Sequence, residues 1–209
     1  MSDSLIKNII FDMGGVLVDF NPDKMIKRNI EPKYHSAVMN SVFLSKYWRL
    51  MDKGEISVDD ALEKMLASLP EHIHQNVRSM VLEREREMPP IEQMTPIIKS
   101  LHSSSYRLFV LSNCPDWFHE FKRTIPCIEL FEGFVVSADY HISKPDLEIY
   151  KILTDKYNLK AEECLFIDDS PQNTAAAESL GMKTVCFKNQ DFDLLKSKLS
   201  EYGVKLQGA

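Results

Sequence analysis

A short apolar run, Ile9-Ile10-Phe11, stops abruptly on an acid, Asp12, and two glycines, Gly14 and Gly15, follow almost at once. An apolar run this short reads as a buried strand, and the glycines allow tight turning and close approach of backbone to a ligand. In an open α/β sheet, ligands sit just beyond the carboxyl ends of the strands, where Asp12 would stand. On its own, an acid in this place is equally a residue that begins a turn. What separates the two readings lies further along the chain.

No strong strand signal appears between Asn21 and Met88. Residues 23–30, 35–48, 58–68 and 71–87 read as helices, punctuated by Pro32, Gly54 and Pro70. Ser57 with Asp60 loosely fits a capping box. The alternating Glu83-Arg84-Glu85-Arg86-Glu87 reads as a solvated helix face. After Pro89-Pro90 the pattern changes to strands alternating with helices. Thr95-Pro96 predicts a helix start, with the helix running to about His102. Apolar runs at 108–111, 134–136, 165–167 and 184–187 read as strands, and helices are expected at about 116–123, from Leu147 to Tyr157, from Ser170-Pro171 to Gly181, and at 192–199. Alternation of this kind means a parallel sheet with helices on both faces. The expected architecture is therefore a core built from residues 1–19 and 90–209, with a helical cap of residues 20–89 inserted after the first strand.

The 209 residues, 44% of them apolar, suffice for a sizeable core. A net charge of −6 argues against nucleic acid or an anionic membrane as partner, and no apolar run approaches spanning length. No basic region followed by a long apolar segment opens the chain, so a cytoplasmic location is expected. Cys114, Cys127, Cys164 and Cys186 form no C-x-x-C pair and read as reduced thiols, while His72 and His74 read as surface residues rather than a metal pair.

Three strand ends carry polar residues of a consistent kind: Asp12, Ser112-Asn113 and Asp168-Asp169; Lys144 lies in a loop before the next helix. In a parallel sheet these ends share one edge. Carboxylates gathered there repel unless a cation joins them, and oxygen ligands without His or Cys suit Mg2+. A hydroxyl, an amide and a lysine beside such a cation can neutralise a phosphoryl group, and an Asp carboxylate can act as covalent nucleophile.

The set resembles the haloacid dehalogenase (HAD) superfamily of phosphohydrolases. It rests on Phe11-Asp12-Met13-Gly14-Gly15-Val16-Leu17, Val110-Leu111-Ser112-Asn113, Ser143-Lys144-Pro145-Asp146, and the run from Phe166 to Asn173 that holds Asp168-Asp169-Ser170-Pro171. The resemblance covers essentially the whole chain, and within the branch capped after the first motif it is most similar to bacterial sugar-phosphate phosphatases such as those for glucose 1-phosphate. It implies a three-layer α/β/α Rossmann-like core with a parallel sheet of five or more strands and a four-helix cap. It also implies a small phosphorylated substrate and an aspartyl-phosphate on Asp12. Mg2+ would be held by Asp12, the Gly14 carbonyl and Asp169, with Asp168 supporting it from behind. Ser112 and the Asn113 backbone would hold phosphoryl oxygens, and Lys144 would balance the charge.

One departure matters. Phosphatases of this family usually carry a second Asp two residues after the nucleophile, as acid and then base; here that position is Gly14. A positioned acid or base is worth ~10²–10⁴-fold. Asp19 or a cap residue would have to replace it, or the substrate would need a leaving group requiring little protonation. Two other readings stay open: a phosphate-binding relic without turnover, and a 2-haloacid dehalogenase, against which the paired Asp168-Asp169 speaks. Trp48, Tyr47, Arg49 and Lys53 are plausible residues of a cap lining.

Overall fold

The computed structural model describes residues 6–206, so the outermost parts of the expected core, 1–5 and 207–209, lie outside the described residues. Five strands form one parallel sheet: β1 (Asn8–Phe11), β2 (Arg107–Ser112), β3 (Gly133–Val136), β4 (Cys164–Asp168) and β5 (Lys183–Cys186). Their order is β3-β2-β1-β4-β5, which puts the first strand at the centre. Phe11 pairs with Val110 on one side and Ile167 on the other. The chain thus leaves β1 in opposite directions to build the two halves of the sheet, and a crevice opens at the strand ends where the direction switches.

Twelve α-helical segments are described: α1 (Pro22–Asn29), α2 (His35–Val38), α3 (Lys46–Asp52), α4 (Val58–Leu66), α5 (His74–Leu82), α6 (Arg84–Glu87), α7 (Met94–Ser103), α8 (Phe118–Phe121), α9 (Ser137–Tyr140), α10 (Leu147–Tyr157), α11 (Pro171–Ser179) and α12 (Phe192–Glu201). Alternation along β1 sets the layers. Ile9 and Phe11 point to the face covered by Ile97, Ile98 and Leu101 of α7 and Leu195 and Leu199 of α12. Ile10 points to the other, against Ile149, Tyr150 and Leu153 of α10 and Ala177 of α11. Both faces are dry, which is why the strands read as continuous apolar runs. The result is the expected three-layer α/β/α arrangement with a five-stranded parallel sheet.

Between β1 and β2 a separate cluster forms from Met25 and Ile26 of α1, Met51 of α3, Leu62 and Met65 of α4, and Val77 and Met80 of α5. Several boundaries differ from expectation. The stretch 35–48 is not one helix: Ser45 accepts from the Trp48 N–H at 3.1 Å and starts α3 afresh. The stretch 71–87 breaks at Glu83, whose ψ of 56° is not helical. Thr95 does not cap α7; a turn from Ile91 to Met94 begins it, and Pro96 is accommodated inside the first turn, where no N–H is needed. Gly181 does take the expected left-handed conformation, with φ 91°. The four cysteines are free thiols.

The charged run 83–87 is only partly a solvated face: Glu83, Glu85 and Arg86 are exposed, but Glu87 is not. Glu87 is buried and pairs with Arg28 at 3.3 Å and Arg86 at 2.7 Å, which ties α6 to α1. No helix among the described residues is long and apolar enough to cross a membrane.

Leu62 is fully buried in the helical cluster. Leu62→Ala is expected to lower unfolding stability by about 2–5 kcal/mol, measured by urea titration. A loss below about 1 kcal/mol would show that these helices do not pack as a core.

Candidate active site

The central strand delivers Asp12 to the switch point, where its N–H donates to the Ile167 carbonyl at 2.9 Å and keeps it in register with β4. Ser112 ends β2 and Asp168 ends β4, so the three strand tips stand side by side. Lys144 arrives from the loop before α10. It is not the surface residue that a lysine before a proline usually is: only 1% of its side chain is exposed.

The Lys144 ammonium lies 2.8 Å from Asp12 Oδ1 and 2.7 Å from Asp168 Oδ2, and donates to the Leu111 carbonyl at 2.8 Å. A buried ammonium with three acceptors has every proton placed. Its backbone is clamped by the Asn113 side chain, whose Nδ2 donates to the Lys144 carbonyl at 2.9 Å while Oδ1 accepts the Lys144 N–H at 2.8 Å. The Asn113 amide thus holds the lysine loop. Ser112 is buried and does not line the cavity described below, whereas Asn113 does.

Asp168 is fully buried and committed on both oxygens. Oδ2 takes Lys144, and Oδ1 accepts from the Ser170 N–H at 2.8 Å and from Asn173 Nδ2 at 3.0 Å. Asp169 is exposed and sits against Gly15, whose φ is 71°; a Cβ there would lie 2.5 Å from Asp169 Oδ2. Only glycine permits this approach. Asp12, Asp168 and Asp169 each offer an oxygen within 4.8 Å of the others, an all-oxygen group that can hold a hard divalent cation.

Burial is the largest influence on Asp12 and pushes its carboxyl up to about 7; Lys144 opposes this, and the charge of Asp168 adds to it. Burial also pulls Lys144 down, but Asp12 and Asp168 outweigh it and leave the ammonium above its ordinary range. Asp169 is raised by burial and by Asp168.

A cavity of about 250 Å³ opens over Asp12, Gly14, Asn113 and Asp169. The helical segment roofs it with Trp48, Met51, Asp52, Met80, Val81 and Arg84. Of the four residues expected from the sequence to line a cap, Trp48 does so, whereas Tyr47, Arg49 and Lys53 are not part of this lining. Asp19 also stands outside it, with its carboxylate taken by Lys24 at 2.8 Å and Gln190 at 3.2 Å.

Asp52 and Arg84 are lining residues that the sequence reading passed over. Arg84 was hidden in a charge run; its guanidinium lies 4.8 Å from the Trp117 ring centre. Asp52 is the last residue of α3, at the end where the helix dipole disfavours an anion. That misplaced acid beside Gly54 was the available signal. Burial, and then the Asp12 charge, push its carboxyl up to about 8, against the pull of Trp48 and Lys144.

A carboxyl raised from 3.8 to about 8 binds its proton more tightly folded than unfolded. Its stabilising contribution is therefore complete below about pH 4 and is lost as pH rises through 8. In metal-free protein, Asp52→Asn is expected to exceed the parent in stability by about 2–5 kcal/mol near pH 8, with the gap closing toward pH 4, by urea titration across pH. A gap independent of pH would contradict the raised carboxyl. Lys144→Met strands two buried carboxylates and is expected to cost about 3–5 kcal/mol at neutral pH, by the same titration. A loss under about 1 kcal/mol would show that the ammonium is not what balances them.

The haloacid dehalogenase-like hydrolase family model matches residues 9–187. A sesquiterpene phosphatase of Aspergillus oryzae is 28% identical over 179 residues, spanning 84% of this chain and 87% of that protein. A D-ribitol-5-phosphate phosphatase of Bacteroides thetaiotaomicron is 27% identical over 194 residues, spanning 86% and 91%. The crystal structure of a HAD family enzyme from Bacteroides thetaiotaomicron, in complex with magnesium and inorganic phosphate, superposes with a TM-score of 0.65 at 22% identity, over 86% of this chain and 93% of that one. With the fold, the strand-tip acids and nearly the full length of the family pattern in place, the chain belongs to the haloacid dehalogenase-like hydrolases.

Proposed function

We propose that this chain is a Mg2+-dependent phosphatase that hydrolyses small phosphomonoesters through an aspartyl-phosphate on Asp12. The observation that carries the reading is the setting of Asp12. It stands at the switch point of the sheet, faces the cavity, and has Oδ1 held by the Met13 N–H at 2.7 Å and by Lys144 at 2.8 Å. With Oδ1 committed, Oδ2 is the oxygen that attacks phosphorus.

Asp12 and Asp169, with the Gly14 carbonyl, are the donors for Mg2+, which when bound supplies positive charge against the phosphoryl oxygens. Asp168, already engaged on both oxygens, steadies Lys144 and the turn into α11. Lys144 favours the ionised form of Asp12 against burial and orients its carboxylate. The Asn113 backbone, on the cavity lining, is the local donor for phosphoryl oxygens, and Ser112, buried behind it, would serve as a second donor only if the substrate reached past the lining. Residues 20–89 serve as a cap over a core of residues 1–19 and 90–209, excluding water from the reaction.

Two kinds of leaving group have support. The sequence resemblance implies sugar phosphates such as glucose 1-phosphate, and the ribitol-phosphate relative supports a polyol. The lining favours an ester with apolar surface on its alcohol: Phe20, Met25, Trp48, Met51, Met88 and Trp117 outnumber the polar groups beyond the strand tips. The sesquiterpene phosphatase relative supports that second reading.

Phosphate release should be measured on sugar, alkyl and aryl phosphates with Mg2+ and with chelator. Release is expected only with the metal, and Asp12→Asn is expected to reduce it by about 10³-fold or more with the far-ultraviolet circular dichroism unchanged. An Asp12→Asn variant as fast as its parent would overturn the proposal.

A further inference from the structure

Gly14 leaves the cavity without a proton carrier two residues after the nucleophile, yet an alcohol leaving group must gain a proton and the attacking water must lose one. Asp19 is engaged by Lys24 and Gln190 outside the cavity, and Asp169 belongs to the oxygen cluster with Asp12 and Asp168. No histidine lines the cavity among the described residues. One carboxyl on the lining remains.

We propose that Asp52, carried by the helical segment, is the general acid and base of the reaction in place of the side chain that Gly14 lacks; the inference rests on the phosphatase reading above. Three features fix Asp52 against the sheet edge. The Ser137 hydroxyl donates to the Asp52 carbonyl, and the same oxygen accepts the Cys114 N–H at 2.9 Å, so one buried side chain ties the end of α3 to the loop that follows β2. His141 Nδ1 donates to the Lys53 carbonyl at 2.8 Å. Gly54, with φ 65°, lets the chain pass so close to α9 that a Cβ would lie 2.8 Å from the Ala138 carbonyl. A cap residue merely facing the site needs no such anchorage. A proton carrier does, since its reach to the reacting oxygen must be held to within a hydrogen bond.

The surroundings keep the proton on. Asp52 ends its helix at the negative pole of the dipole, beside Met51 and Trp48. The ionisable groups acting on it are Asp12 and Lys144 at the strand tips; Cys114 also feels its charge, and Arg84 lines the same cavity. Burial raises the carboxyl toward the protonated form that a donor needs.

Asp12 Oδ2 bonds to phosphorus as the ester P–O bond breaks, and its electron pair leaves on the alcohol oxygen, which takes the Asp52 proton. The Asp52 carboxylate then accepts a proton from water as the water oxygen bonds to phosphorus. The bond from phosphorus to Asp12 breaks, phosphate leaves, and both acids return to their starting forms. The net reaction is ester plus water to alcohol plus phosphate.

The test compares parent and Asp52→Asn on p-nitrophenyl phosphate, whose leaving group needs no proton, and on a primary alkyl phosphate of similar size. The variant is expected to lose about 10²–10⁴-fold in kcat/KM on the alkyl ester. It should keep a rapid burst of p-nitrophenol followed by slowed turnover, because the phospho-enzyme forms but lacks its base. Losing both esters to the same factor, as a purely structural lesion would, or losing neither, overturns the assignment of Asp52 while leaving the phosphatase reading intact. A parent that releases phosphate from neither ester overturns both.

Discussion

A single buried ammonium governs the architecture of this site. Three strand tips converge because β1 is central in the sheet, and two of them bring carboxylates into a volume almost closed to water. Removed from water, such groups protonate or push the structure apart. Lys144 lies within 2.8 Å of both and opposes this. The cost of burying three charged groups is met by geometry: Asp168 has three donors around it, Asn113 locks the lysine backbone, and each ammonium proton has an acceptor. A pair less completely hydrogen-bonded would favour an apolar replacement.

Above this rigid polar floor lies a second core with its own apolar logic. The helices between β1 and β2 bury Met, Leu and Val among themselves and meet the core where Arg84 lies over Trp117 and where the end of α3 is tied to Ser137 and His141. Phe20 packs against both clusters and stacks on Trp48, with 5.9 Å between ring centres. The floor therefore supplies charge and the roof shape and dryness, with Asp52 and Arg84 as the ionisable groups that the roof carries.

Much of the floor was legible in the sequence, because a strand that ends in Asp needs no tertiary knowledge to be noticed. Asp12, Ser112-Asn113, Asp168-Asp169 and the five strands came from local patterns, as did the layers, since fully buried strands leave unbroken apolar runs. What escaped depended on partners far away in the chain. Arg84 and Glu87 sit in a run whose charges look solvated, yet Glu87 is buried through Arg28, 59 residues earlier. The break at Ser45 escaped because apolar residues continue across it, and the break at Glu83 because the Glu and Arg that follow are good helix formers. Asp19 looked promising by its distance along the chain from Asp12, but its carboxylate faces Lys24 and Gln190. Asp52 was overlooked because its one local signal, an acid at a helix end beside Gly54, says nothing of where it faces; its anchorage comes from Ser137 and His141, more than 80 residues on.

The central claim is that phosphorus becomes bonded to the acid at the end of the first strand. Enzyme mixed with radiolabelled phosphomonoester and quenched in acid within one turnover should carry label on the peptide containing Asp12, and hydroxylamine should release it as an acyl phosphate. Label found on the Ser112 peptide, or phosphate produced with no protein-bound label at any time during the turnover, would contradict the account.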